Sequence, residues 1–318
     1  MVGWRNPGGD DYPRATVFYR ARIGSRGWRS VTTTAIWFEK MISVVLPVRD
    51  GMPWLEEQLR ALARQDCPEP WEVVVADNGS LDGSGDFARR WASDDDRFRV
   101  VDASALDGAP AARNVGVRAA RGDLIAFCDA DDVVWAGWLA ACAEGLRNAD
   151  IIAGAFDFWS LNGARKQPNA PAAIRQLGFL PAGLGANLAV RRSVFDGVGG
   201  FDEDLLLGED IDLCWRLQLQ GFTFAIAPDA VVAKRELTGF AQVFRRAFSY
   251  GRSGPALFRR YRSVGARRNL VGAAKSWSWL ILSLPLLFGR RRRTEWARAA
   301  GMRSGRLIGS IRQWVFFP

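Results

Sequence analysis

The hydrophobic pattern of the chain changes abruptly at Met41. Residues 1–40 mix Gly, Pro, Arg and Thr without a sustained period and are expected to be irregular. Met41–Val48 is then a continuous apolar run rich in β-branched residues, the mark of a strand buried on both faces. Leu55, Leu59 and Leu62 recur at helical spacing. Trp71–Ala76 reads as a second buried strand, running into the turn-forming Asp77-Asn78-Gly79-Ser80. Residues 84–92 read as helix, Phe98–Val101 as a short strand, 109–120 as a small-residue helix and Asp123–Cys128 as another strand. Strands alternating with helices in this way predict a doubly wound α/β sheet with right-handed crossovers.

Beyond residue 130 the texture is α+β. Leu184–Val190 and Phe222–Ala227 are short apolar runs, separated by the Gly-rich turn Gly197–Asp202 and by a helix expected to start near Glu209. Acids in the first turn of that helix suit its dipole. Phe240, Val243, Phe244, Ala247 and Phe248 then follow helical spacing with Arg245 and Arg246 off their face, which fits a helix packing back onto the body or touching a membrane. Trp277–Phe288 is apolar for only 12 residues and contains Pro285, and extending it back to Leu270 meets Lys275. A spanning helix needs about 20 such residues, so an interfacial segment is favoured over a single span. Trp277, Trp279, Trp296 and Trp314 would sit at headgroup depth and Arg290–Arg293 would be drawn to anionic lipid.

Composition narrows the chemistry. The chain contains no histidine, which excludes Ser-His-Asp and Cys-His nucleophile systems and histidine-ligated zinc. Any general base is therefore expected to be a carboxylate. The net charge of +9 taken alone would suggest nucleic acid. Its distribution argues otherwise: residues 41–233 carry 17 basic and 29 acidic side chains, whereas 234–318 carry 19 basic and 2 acidic. An acidic body with a basic, Trp-rich end suggests an anionic surface met by that end only. The four cysteines, Cys67, Cys128, Cys142 and Cys214, are too scattered for a disulfide framework and read as buried thiols of a reducing compartment. The N-terminus shows no apolar segment of the signal-peptide kind.

Ligands of doubly wound sheets bind beyond the carboxyl ends of the strands. Those ends are Arg49-Asp50, Asp77-Asn78 and Asp129-Ala130-Asp131-Asp132, so three strands bring carboxylates to one edge. Asp129 and Asp131 suit a hard cation such as Mg²⁺ or Mn²⁺, although the cluster could instead cap a helix over Val133–Cys142. Glu209-Asp210 has the same two readings, a reactive acid pair or a helix N-terminus with solvated acids.

Five ordered segments decide between these readings. They are Ser43–Val48; Val73–Ser80 with Asp82; Ala112–Gly116; Gly122–Asp132; and Gly199–Glu203 followed by Gly208–Leu213 with Arg216. With them the chain resembles the family 2 glycosyltransferases of the GT-A fold from about Met41 to Lys234. The resemblance implies a mostly parallel central sheet flanked by helices, in a catalytic domain at 41–235 divided into a nucleotide-binding half (41–132) and an acceptor-binding half (133–235). A helical, membrane-associating 236–318 tail would follow it, and 1–40 would be either a disordered extension or a stretch preceding a functional start at Met41. By the same resemblance, Asp77 binds the nucleobase, with Asn78 beside it and Pro47, Val48 and Arg49 lining the pocket. Arg113 and Asn114 close over the nucleotide sugar. Asp131 ligates Mn²⁺ or Mg²⁺, and Asp129 lies nearer the ribose. Gly200, Phe201, Asp202 and Asn187 border the acceptor, and Asp210, paired with Glu209, is the catalytic base. One in-line displacement with proton transfer to Asp210 would invert the sugar's configuration.

Two departures from the family pattern matter. Relatives commonly place a histidine near Val231–Lys234 to complete the metal or diphosphate site; here Lys234 lies closest and could neutralise phosphate as a point charge. Processive relatives carry Gln-x-x-Arg-Trp, whereas this chain has Gln242-Val-Phe-Arg245-Arg246, so transfer of a single sugar is expected. The expected enzyme is thus an inverting, metal-dependent transferase. It would use a nucleotide-diphospho-sugar and a glycan or lipid-linked acceptor, bind no nucleic acid, and work at the cytoplasmic face of the membrane. A non-catalytic nucleotide-sugar-binding subunit is the alternative. A nucleotidyltransferase would need a basic Gly-rich loop after the first strand, which Arg49–Pro53 is not.

Overall fold

The computed structural model describes residues 16–22, 28–34, 40–205, 207–284 and 290–317. Met1–Lys40 and Met41–Pro318 form separate compact units. In the first, β1 (Thr16–Arg22) pairs antiparallel with β2 (Trp28–Thr34), Thr16 opposite Thr34 and Arg22 opposite Trp28. A hairpin therefore replaces part of the irregular chain expected there. Both strands are rich in aromatic and β-branched residues, and the five residues between them include two glycines. The rest of 1–40 apart from Lys40 lies outside the described residues.

The second unit starts with β3 (Ile42–Val48), α1 (Leu55–Ala63), β4 (Trp71–Asp77), α2 (Ser84–Asp94), β5 (Phe98–Asp102), α3 (Ala109–Ala119) and β6 (Leu124–Cys128). It continues through β7 (Val133–Val134), α4 (Trp138–Asn148), β8 (Ile151–Asp157), β9 (Ala170–Pro171), β10 (Ala173–Ile174), β11 (Ala182–Gly183), β12 (Asn187–Arg191) and α5 (Arg192–Gly197). It ends with α6 (Glu209–Leu219), β13 (Phe224–Ala233), α7 (Phe240–Tyr261), α8 (Leu270–Leu282) and α9 (Arg290–Arg312).

The main sheet runs β5-β4-β3-β6-β12-β8-β13-β7, with β9 on β8. From β5 to β6 every pairing is parallel. β12 then enters antiparallel between β6 and β8, and β13 returns parallel to β8, so the sheet is mixed. The reason lies in the connections. Parallel neighbours need a crossover, usually a helix, and the stretch between β8 and β12 holds only short strands and a 3₁₀ turn at Gln176–Gly178.

Each central strand faces two cores, as its unbroken apolar run requires. Val44, Leu46, Val73, Val75 and Ala126 point into the core that contains Leu55, Leu59, Leu62 and Trp138. Val45, Val74, Ile125 and Phe127 point into the other, with Leu213, Trp215, Leu257 and Tyr261. The second group contains α7 residues, so this helix packs onto the body. α9 is pressed against α7 in turn: Gly301, Gly305 and Gly309 recur every four residues, and a Cβ on Gly305 would overlap the Phe248 carbonyl oxygen. Residues 285–289 and the side chains of Arg290–Arg292 lie outside the described residues. Among the described residues, no helix is long and apolar enough to cross a membrane.

Candidate active site

The parallel strands β3, β4 and β6 end at one edge, and their tips hold the first half of the site. Asp77 follows from the end of β4; its Oδ1 accepts the Ser80 N–H at 3.0 Å and its side chain is 13% exposed. Gly85 is required beside it, because a Cβ there would overlap Asp77 Oδ2. Pro47 is half-buried, Val48 is buried, and Arg49 is exposed and paired with Asp107 at 3.0 Å.

At the end of β6, Asp129, Asp131 and Asp132 place carboxylate oxygens within 4.8 Å of one another. They do not open a helix: β7 intervenes, and α4 starts only at Trp138 behind Gly137 in the left-handed region. Two buried polar side chains secure the cluster. Gln58, fully buried on the leucine face of α1, donates to the Asp129 carbonyl at 3.0 Å and accepts from the Val134 N–H at 3.0 Å. Lys234, just past β13, places Nζ 3.2 Å from Asp129 Oδ2 and 2.5 Å from Asp132 Oδ2. Burial pushes the Asp129 carboxyl up, but Lys234 and Arg113 outweigh it and hold the group at about 2. Burial raises Asp132, Lys234 pulls it back, and the neighbouring acids raise it again.

The second half of the site stands on the N-terminus of α6. Glu209 is buried and accepts from Arg113 Nη1 at 2.8 Å. Arg113 Nη2 reaches Asp129 Oδ1 at 3.0 Å, so one guanidinium, itself 5% exposed, ties the two acidic groups together. Gly185 permits this, since a Cβ there would come within 2.9 Å of the guanidinium carbon. Burial and Asp210 push Glu209 up to about 7 against the pull of Arg113. Asp210 is half-buried; its Oδ2 accepts from the Gly185 N–H at 2.9 Å and its Oδ1 from the Ile211 N–H at 2.8 Å. Burial raises its pKa above the usual carboxylate value, although both hydrogen bonds and Arg113 oppose the rise.

Several expected ligand contacts are structural instead. Asn78 donates to the Ala103 and Leu106 carbonyls and accepts from the Gly108 N–H, so both of its side-chain donors are taken up by the backbone. Asn187, expected to border the acceptor, is 1% exposed; it donates to Ala155 and Ala230 and accepts from Trp138 Nε1. Asn114 clamps both backbone polar groups of Phe201. Phe201 is 2% exposed, packed edge-on against Phe127 and Phe195. Gly200 and Asp202, with Asn114 and Phe201, border a cavity of about 530 Å³ beside Arg118 and Phe195, which none of the acids at 129, 131, 132, 209 or 210 lines.

Sequence reasoning missed the bracing of α6 by α7. Asp212, fully buried, receives Arg216 at 2.6 Å, Arg260 at 2.7 Å and the Tyr261 hydroxyl at 2.7 Å. Arg260 also pairs with Asp202 at 2.6 Å. It missed Gln58 as well, although Gln58 gave a signal as a polar residue on an apolar helix face. Arg246 is another: burial lowers its pKa, but Tyr250 and then Asp131 and Asp129 raise it overall, so the field of the acid cluster reaches α7.

Known proteins resemble this chain in sequence and in fold. Residues 43–199 match the model of glycosyl transferase family 2, and residues 124–299 that of glycosyl transferase family group 2. The chain is 26% identical over 219 residues to glycosyltransferase AglE of Haloferax volcanii, covering 66% of this chain and 72% of that protein. It is 29% identical over 272 residues to the pre-mycofactocin glycosyltransferase of Mycobacterium tuberculosis, covering 78% of this chain but only 54% of that one. In fold it is similar to mannosyltransferase PcManGT from Pyrobaculum calidifontis, solved with GDP-Man and Mn²⁺, with a TM-score of 0.57 at 20% identity over 87% of this chain and 88% of the other. The fold is of the GT-A type, and with the matches it defines a glycosyltransferase that uses a nucleotide-sugar. The chain belongs to the family 2 glycosyltransferases.

Proposed function

We propose that the protein transfers one sugar, with inversion, from a nucleotide-diphospho-sugar to a hydroxyl of a glycan or lipid-linked acceptor. The observation that carries this reading is the division of labour among the five acids. Asp129 and Asp132 are held by Lys234, and Glu209 by Arg113. Asp131 and Asp210 have no cationic partner within ion-pair distance among the described residues and remain available to ligands. Their separate bases, the end of β6 and the start of α6, fit a donor site and an acceptor site respectively.

Asp129, Asp131 and Asp132 offer hard oxygen donors of the kind Mn²⁺ or Mg²⁺ takes. A divalent cation bound there would neutralise charge developing on the diphosphate leaving group. Asp77, with Pro47 and Arg49 at the neighbouring strand end, would hold the nucleobase. Asp210 would take the acceptor's hydroxyl proton on a carboxylate oxygen as that hydroxyl attacks the anomeric carbon and the bond to the diphosphate breaks. Its raised pKa suits a base that must also release the proton near neutrality.

The test is nucleoside diphosphate release across UDP-, GDP- and dTDP-sugars with hydroxyl acceptors. Asp210→Asn is expected to lower turnover by about 10²–10⁴-fold while donor binding persists. Full activity in that variant overturns the base assignment. Donor binding without turnover on any acceptor would favour a nucleotide-sugar-binding subunit instead.

The proposal extends to an anionic membrane surface at the cytoplasmic face, met by α8 as an interfacial helix. Val271, Trp279, Ile281 and Leu282 are exposed on it, and Arg267, Arg268 and Lys275 lie on or just before it. Sedimentation with anionic but not zwitterionic vesicles is the expected outcome, and equal binding to both refutes the charge argument.

A further inference from the structure

Lys234 occupies an unusual place for a side chain. Its backbone N–H donates to the Asp157 carbonyl at 2.8 Å, which fixes the residue at the end of β13. Its ammonium reaches into the acid cluster, 3.2 Å from Asp129 Oδ2 and 2.5 Å from Asp132 Oδ2, with the side chain only 13% exposed. The remaining oxygens of both partners are also engaged: Asp129 Oδ1 by Arg113 at 3.0 Å, and Asp132 Oδ1 by the Arg235 N–H at 3.0 Å. Only the Asp131 carboxylate has no hydrogen-bond or ion-pair partner among the described residues. A divalent cation using two or more of the three acids must therefore compete with a monocation already anchored to the backbone.

We propose that Lys234 is a tethered competitor for the divalent cation. With the lysine in place, free Mn²⁺ or Mg²⁺ finds one open carboxylate and binds weakly. A nucleoside diphosphate changes the balance in two ways. It adds phosphate oxygens as further ligands, and it offers the ammonium a new anionic partner, so that Asp129 can be shared with the metal. Cation and donor then enter together, and the cation alone does not accumulate in the site. This inference rests on the donor reading given above.

The experiment measures Mn²⁺ affinity directly, by the electron paramagnetic resonance signal of free Mn²⁺ titrated with the full chain. Wild type, Lys234→Met and Lys234→Arg are compared, each with and without UDP or GDP. Removing the buried positive charge is expected to tighten metal-only binding by about tenfold or more. Lys234→Arg, which keeps the charge, is expected to stay within about threefold of wild type, as a surviving competitor requires. In wild type the diphosphate should tighten Mn²⁺ binding by about tenfold, and in Lys234→Met by clearly less. The melting temperature gives a second readout: Mn²⁺ should raise it more in Lys234→Met than in wild type.

Metal-only affinity in Lys234→Met no tighter than in wild type overturns the proposal. So does a Lys234→Met chain that stays unfolded even with Mn²⁺ while Lys234→Arg folds, because the lysine would then be structural. Wild-type affinity for Mn²⁺ that is unchanged by a diphosphate shown to bind by calorimetry overturns it as well. If neither diphosphate binds, the donor reading fails instead, and the metal-only comparison still decides the role of the lysine.

Discussion

Replacing Arg113 with methionine keeps an apolar stem of similar length and removes the guanidinium from between Asp129 and Glu209. With the side chain 5% exposed and its partners at 3.0 and 2.8 Å, this breaks a buried ion pair on two sides. Such losses cost about 3–5 kcal/mol, because Glu209 remains buried without a counter-charge and Asp129 keeps only Lys234. At an m-value of about 3 kcal/mol per molar urea, the unfolding midpoint then falls by about 1–1.7 M. The cost depends on pH in a defined direction. Glu209 sits at about 7 in the folded protein, above the ordinary 4.5, so its contribution is most favourable below 4.5 and is lost as pH rises through about 7. Without Arg113 the folded value rises further, so the variant loses more at pH 8.5 than at pH 5.5, where Glu209 is largely neutral in both proteins. Urea titration followed by tryptophan fluorescence at the two pH values measures this. A loss below about 1 kcal/mol, or an equal loss at both pH values, refutes the role of Arg113 as the charge strut of the site.

Asn187→Leu leaves the Ala155 and Ala230 carbonyls and the Trp138 indole N–H without partners, and is expected to cost about 3 kcal/mol or more in urea stability. A raised acceptor KM at unchanged stability would instead restore an acceptor role. Gly305→Ala drives a Cβ into the Phe248 carbonyl and should cost about 1–3 kcal/mol by forcing α7 and α9 apart, read as a lower melting temperature. Tyr261→Phe removes one of the donors to buried Asp212 and should cost about 1 kcal/mol; no loss would show that Arg216 and Arg260 suffice to hold α6.

The first half of the fold was legible because each of its strands is buried on both faces, which produces unbroken apolar runs separated by helical periodicity. β7, β9, β10 and β11 are two residues long and leave no such trace. The antiparallel insertion of β12 depends on a helix being absent from the preceding connection, which a run of apolar residues does not reveal. The acids at strand ends and at the start of α6 were legible by position. Their partners were not, since Lys234 lies 105 residues from Asp129 and Arg113 lies 96 from Glu209. Asn78 and Asn187 are held in backbone clamps for a related reason: an amide that would bind a ligand also makes a good core clamp, and the two are chemically indistinguishable in a sequence.

The charge asymmetry between the acidic body and the basic C-terminal part bears on this directly. Part of it is internal neutralisation rather than attraction for a partner. Lys234 answers Asp129 and Asp132, Arg235 pairs with Glu57 at 2.7 Å, and Arg260 answers Asp202 and Asp212. These cations hold the acid cluster and α6 in place, so they are not free to meet lipid. Among the described residues, Arg267, Arg268, Lys275 and Arg293 are exposed on or beside α8 without an acidic partner, as is Arg262 a little before it. At about 1 kcal/mol for each basic residue near an anionic surface, they supply about 5 kcal/mol, far less than the formal excess of the segment suggests. That is reversible attachment, and the exposed Val271, Trp279, Ile281 and Leu282 must add the rest. The proposed membrane contact is therefore confined to α8 and its flanks, while α7, buried against the catalytic body, belongs to the enzyme.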